Sequence, residues 1–203
     1  MNDTISYQLF FPVLPRALMY NQILPIGALT SWISETKSLP CAEKITSWLC
    51  DHNSLTQKLE LQFNHFFVEV KQQVYIKPNN LLSPIFKNEE KILVREVFLH
   101  GENRPVVFAQ TEIPFSTLTE QQVELAEIGE QPLGRILFQD PTMLRGQIEV
   151  TEFKKDSIFH QLATDLQQPA DHSLWARRSL FYLNNRPLLV TELFLPASGI
   201  YDQ

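Results

Sequence analysis

The run Arg186-Pro187-Leu188-Leu189-Val190-Thr191-Glu192-Leu193-Phe194-Leu195-Pro196-Ala197-Ser198 decides how this chain is read. Its β-branched and large apolar residues, set between Asn184-Asn185 and Pro196, spell a strand. Side chains alternate across a strand, so Glu192 shares a face with Leu188, Val190 and Phe194. A carboxylate in the middle of an apolar face is costly unless something pairs it or uses it. Upstream, 174–183 reads as a second strand, and the Asn184-Asn185 turn joins the two as a hairpin.

Another hairpin repeats the oddity with the opposite sign. Strand 92–100 and strand 105–113 flank the turn Gly101-Glu102-Asn103-Arg104, and Arg95 shares its face with Leu93, Val97 and Leu99. Arg95 and Glu192 are therefore either an inert ion pair stapling two strands or the poles of one enclosed polar site. The pattern leaves both readings open. As a staple, the pair would contribute little to stability, because desolvation offsets the attraction.

Outward from these hairpins, helical periodicity covers 26–34 and 42–51, the latter placing Ile45, Trp48 and Leu49 on one side. Asn53 or Ser54 can cap a helix from Leu55 to about Gln62. Residues 65–71 read as a strand that reverses at Gln72-Gln73 into 74–77, and 78–90 as a connecting loop. Thr119 and Gln122 have capping-box spacing, with Leu118 and Val123 at staple positions, for a helix reaching Ile128 and stopping at Gly129. Pro132 opens a shorter helix over PLGRILF, and a further strand covers 147–153. Residues 1–22 read as an irregular extension and 154–172 as a polar surface insertion. Strands joined mainly by hairpins imply an antiparallel sheet with helices on one face, an α+β domain.

Composition narrows the functional classes. The chain has 203 residues, enough for one domain with a sizeable core, and 44% of them are hydrophobic. A net charge of −6 disfavours a nucleic-acid surface. No apolar run approaches the roughly 20 residues of a membrane span. The N-terminus lacks a basic segment before its apolar part, which argues against a secretory signal. Cys41 and Cys50 form no CxxC and read as reduced thiols, so the expected location is the cytoplasm. The five histidines show no HxH, HxxxH or HExxH spacing, and GxGxxG, GxxxxGK[ST] and GxSxG are absent. Neither a metal nor a nucleotide cofactor is expected.

Three further places bear on a site. Leu55 and Leu133 stand in the first turns of their helices, where backbone N–H groups lack intrahelical acceptors and can meet an anion. Each is equally readable as a core leucine at an ordinary helix start. Arg177 and Arg178 alternate, so at most one of them faces the site and the other is expected in solvent. A buried arginine suits a small carboxylate, because its planar fork donates two parallel hydrogen bonds.

The motifs SLT (54–56), VREVFL (94–99), IPFSTL (113–118), PLGRILF (132–138), LWARRS (174–179) and PLLVTELFLPAS (187–198) occur in this order over most of the chain. In them the sequence resembles the bacterial chorismate lyase (chorismate pyruvate-lyase) family. The resemblance implies a monomeric α+β protein with a six-stranded antiparallel sheet and a ligand enclosed beneath two helix-turn-helix flaps. It implies cofactor-free conversion of chorismate to 4-hydroxybenzoate and pyruvate for ubiquinone synthesis; an enclosed apolar pocket with one arginine is also expected to hold the aromatic product tightly. Its site residues fall on Leu55, Arg95, Leu133 and Glu192, with Arg95 and Glu192 catalytic. Position 55 is usually methionine in that family, a change of little consequence if the backbone N–H does the binding. The alternatives are a non-catalytic module that senses an aromatic carboxylate on the same fold, or a lyase yielding another hydroxybenzoate isomer.

Overall fold

Two tight hairpins organise the sheet. Glu102 and Asn103 have φ of 50° and 64°, and Asn184 and Asn185 have 49° and 64°. Positive φ at both central residues makes the two-residue turns whose twist matches that of paired strands. A computed structural model describes residues 22–27, 30–34, 39–80 and 82–202. The strands are β1 (Ile33–Ser34), β2 (Phe66–Ile76), β3 (Ile92–Gly101), β4 (Arg104–Pro114), β5 (Leu144–Phe153), β6 (Leu174–Leu183) and β7 (Arg186–Phe194). They form one antiparallel sheet in the order β1-β5-β6-β7-β4-β3-β2. The α+β class is as expected; the seventh strand is the two-residue β1, paired with Val150 and Glu149. Ile33–Ser34 lies within the stretch expected to be helical from 26 to 34, and Ile26-Gly27 forms a turn, so that helix is absent there. The expected 1–22 extension lies outside the described residues but for Gln22.

One face of the sheet carries two helix-turn-helix units. The first comprises α1 (Glu43–Leu49) and α2 (Leu55–Gln62). Ser54 caps α2 by accepting from the Gln57 N–H at 3.3 Å, and Asp51 Oδ1 accepts from the Asn53 N–H at 2.9 Å, closing the turn between the helices. The second comprises a 3₁₀ segment (Glu120–Ala126), the Gly129 turn and α3 (Leu133–Gln139). The expected capping box is not made: the Thr119 side chain caps nothing and Val123 is exposed. Pro132 is the N-cap of α3 rather than its first helical residue.

The 65–77 stretch is one strand. A bulge between Val70 and Gln72 changes its parity, so Val70 pairs with Val97 while Gln73 pairs with Arg95. That slip in the apolar alternation is what reads as a reversal in sequence. The displaced residue, Lys71, turns inward and meets Glu96 Oε2 at 2.6 Å.

The opposite face has its own core of Phe98, Phe108, Phe153 and Leu193, covered by α4 (Ile158–Asp165). Residues 154–172 thus contribute Phe159, Leu162 and Ala163 to the interior, a correction to their reading as a surface insertion. Polar groups are buried here as well. Glu96 accepts from the Leu24 N–H, from Gln110 and Gln72 and from Lys71. Glu112 accepts from the Ser83 hydroxyl through Oε2, while its Oε1 is buried without a hydrogen-bond partner.

Candidate functional site

The register of the central strands sets two rows of side chains over the helical face. Arg95 in β3 lies opposite Thr111 in β4, which lies opposite Val190 in β7. One row along, Val97, Ala109, Glu192 and Arg177 line up across β3, β4, β7 and β6. With Val68, Leu99, Phe181 and Arg145 they floor a cavity of about 550 Å³ counted to its mouth. Its roof is Asn53, Leu55 and Thr56 from the first flap and Pro132, Leu133, Gly134, Leu137 and Phe138 from the second.

The flaps touch over this cavity. A Cβ at Gly134 would stand 2.6 Å from Thr56 Oγ1, so only glycine allows the approach. Beside it, Arg135 is ion-paired with Glu60.

All four expected residues, Leu55, Arg95, Leu133 and Glu192, line the one cavity. Arg95 and Glu192 are not partners, which removes the staple reading. Two strand spacings, roughly 10 Å, separate their strands. Arg95 is 2% exposed and has no carboxylate partner among the described residues. Its Nη2 donates to Gly129 O at 2.8 Å and Gln131 O at 3.3 Å, while Nε is buried without an acceptor. Burial pulls its pKa from 12.5 down to about 10, so the guanidinium stays charged at neutral pH. The Leu55 and Leu133 N–H groups, at the starts of α2 and α3, likewise donate to no acceptor among the described residues.

Glu192 is held by Arg177, whose Nε donates to Oε2 at 2.6 Å. Arg177 faces the cavity and is 2% exposed; its Nη1 donates to Trp48 O and Asp51 O, both at 2.8 Å. Removing one partner of such a buried pair strands a charge, a loss of about 3–5 kcal/mol. Arg145 also reaches Asp51 O, at 3.3 Å, and lies 5.1 Å over the Phe181 ring. Arg178, expected in solvent, instead pairs with Glu149 at 2.8 Å and lies 4.4 Å over the Trp32 ring on the other face.

The part of Arg177 was missed in sequence, although the signal was there. Counting back from the Asn184-Asn185 turn sets Arg177 opposite Glu192. Arg145 gave no such signal, because a register irregularity between Arg145 and Ile148 breaks the count along β5. Among the described residues no group of three or more His, Cys, Asp and Glu side chains is placed to hold a metal. Nor is any helix among them long and apolar enough to cross a membrane.

An α+β fold that sets arginines, a carboxylate and helix-end amides beneath two flaps has the donors that a small anion would meet. Its sequence places it more narrowly: the chain belongs to the chorismate lyase family, whose profile, described as Chorismate lyase, matches residues 28–203. A relative in Psychromonas ingrahamii named "Probable chorismate pyruvate-lyase" is 56% identical over 180 residues, covering 88% of this chain and 97% of that one. The "Chorismate pyruvate-lyase" of Pectobacterium carotovorum is 35% identical over 173 residues, 84% of this chain and 87% of that one. Among solved structures, PhnF from Mycobacterium smegmatis shares the fold with a TM-score of 0.52 at 11% identity, covering 73% of this chain and 66% of that one. The C-terminal domain of the histidine utilization repressor from Pseudomonas syringae shares it at a TM-score of 0.50 and 10% identity, over 66% of this chain and 94% of that one.

Proposed function

We propose that the protein is a chorismate pyruvate-lyase that converts chorismate to 4-hydroxybenzoate and pyruvate, acting as a cytoplasmic monomer at the first committed step of ubiquinone synthesis. The observation that carries this reading is the charge of the cavity. Arg177 and Glu192 are paired with each other, while the buried Arg95 guanidinium has no carboxylate partner among the described residues and is left to meet an anion. Chorismate is a dianion. Arg95 in particular keeps a buried Nε without an acceptor, a donor waiting for one.

In the reaction the bond from the ring to the ether oxygen breaks, and the adjacent ring carbon bearing the hydroxyl loses its proton. The ring becomes aromatic, which supplies the driving force. The enolpyruvate released takes a proton at its methylene carbon and becomes pyruvate. Arg95 binds the enolpyruvyl side and stabilises charge developing on the ether oxygen. The Leu55 and Leu133 amides hold the ring carboxylate. Glu192 meets the ring hydroxyl and its C–H neighbour through Oε1, the oxygen not engaged by Arg177, and orients the hydroxyl or takes the proton. Closed flaps keep the substrate dry and aligned, which lowers barriers by several kcal/mol in well-oriented cases.

The test is purified protein with chorismate, the products separated against hydroxybenzoate standards and pyruvate assayed in parallel. Equal amounts of 4-hydroxybenzoate and pyruvate are expected. Binding of 4-hydroxybenzoate without turnover would make the protein a sensor, and a different isomer would change the product assignment. The same cavity holds the aromatic product well, so product inhibition is expected in the progress curves.

A further inference from the structure

Arg177 fits no role in the reaction as derived above, yet its buried guanidinium is held by three hydrogen bonds. It lies directly across the β6–β7 ladder from Glu192 and donates Nε to Glu192 Oε2 at 2.6 Å. The other arm of the same guanidinium donates to Trp48 O and Asp51 O, each at 2.8 Å. These carbonyls belong to the end of α1 and to the turn that leads through Asn53 and Ser54 to Leu55. One planar cation therefore spans two parts of the site: the carboxylate on the sheet and the flap segment that presents the Leu55 N–H.

We propose that Arg177 is a positioning residue: it locks Glu192 with a single oxygen free for substrate and fixes that oxygen relative to the Leu55 flap. The inference rests on the lyase reading and on Glu192 serving it. The geometry explains why arginine is needed. Its fork is rigid, so the angle between the Glu192 bond and the carbonyl bonds is built into the guanidinium plane. A lysine in its place brings the same charge on one flexible atom, and cannot hold Glu192 and both carbonyls in that fixed relation. Glu192 Oε1 accepts nothing from the described residues, so Arg177 supplies the only hydrogen bond they give this carboxylate. Without it the side chain swings, and the reacting proton is no longer opposite its acceptor.

The test is a cycle of four proteins: the wild type, Arg177→Lys, Glu192→Gln and the double variant, each checked for folding by thermal unfolding. Arg178→Lys, with its side chain on the other face, controls for the general cost of trimming an arginine in β6. Arg177→Lys is expected to lower kcat about 10- to 100-fold, the loss that removing an orienting partner brings elsewhere, with KM changed less than about threefold. Arg178→Lys leaves kcat unchanged. The double variant is expected to match Glu192→Gln, because a residue acting through Glu192 has nothing left to position. Wild-type kcat in Arg177→Lys overturns the proposal, and so does a double variant slowed by the product of the two single effects. Full turnover in Glu192→Gln would instead remove the role given to Glu192, and this inference with it. Should Arg177→Lys not fold, Arg177→Gln takes its place in the cycle.

Discussion

At the scale of single residues, Arg95 and Arg177 are both buried arginines in apolar strands with opposite energetic standing. Arg177 is paired with a carboxylate and two carbonyls, so it belongs to the folded state's own hydrogen-bond accounts. Arg95 has two carbonyl acceptors, an empty Nε and no carboxylate among the described residues. On the proposed function, its desolvation is borne for a ligand. Replacing it with methionine, which fills similar space without charge, is therefore expected to lower kcat/KM about 100- to 1,000-fold while Tm stays level or rises. Steady-state kinetics and a thermal melt on the same preparation check both halves; a melt several degrees lower would mean that Arg95 holds the 129–131 turn for stability. Four cavity-lining residues were legible because each breaks a local rule: a charge on an apolar face, or an amide at a helix start. Arg177 breaks the same rule but sits beside Arg178, and alternation alone does not say which neighbour points inward. Only the register counted from the Asn184-Asn185 turn does that.

At the scale of elements, the helix at Leu55–Gln62 and both hairpins were legible because caps and turn residues act locally. β2 was not, because a bulge is a tertiary accommodation: Lys71 is displaced so that it can reach Glu96, twenty-odd residues away in sequence. α4 was misread because Lys154 to His172 is polar on average, while the residues that anchor it, Phe159, Leu162 and Ala163, occupy only one side. The contact between the flaps was invisible for a related reason, since a glycine in PLGR says nothing about what approaches it. Gly134→Ala tests that contact. Its Cβ would collide with Thr56 Oγ1, a short buried side chain with little room to yield, so α3 must lift away from α2. A loss of about 1–3 kcal/mol in stability is expected, with a higher KM as the roof opens. Adding Thr56→Ala removes the colliding oxygen and is expected to restore most of both. If the double variant is no better than Gly134→Ala, the contact is not what requires glycine.

At the scale of the whole molecule, the sheet buries ionisable groups on both faces, and the far face leaves a mark on stability. Burial raises the Glu112 carboxyl from 4.5 to about 7, against the opposing pulls of the Ser83 hydroxyl and Arg178. An unfolded chain releases this proton near 4.5, the folded one near 7. Between those values the folded state holds more protons, so stability falls as pH rises through the window. The cost of ionising the buried group is on the order of 3 kcal/mol once pH exceeds 7. Glu112→Gln is expected to flatten this slope: urea unfolding at pH 5 and pH 8 should show a smaller difference in the variant than in the wild type. Parallel profiles would mean that Glu112 titrates as an ordinary carboxyl. The two-faced burial has one more effect. β3 is buried along its entire length, so water cannot tell its faces apart and greasiness carries no information about alignment. What differs between neighbours there is charge, Arg95 on one side and Glu96 on the other. Beside the Glu102-Asn103 turn, Lys71 against Glu96 acts as the tooth of a key that fits a single notch.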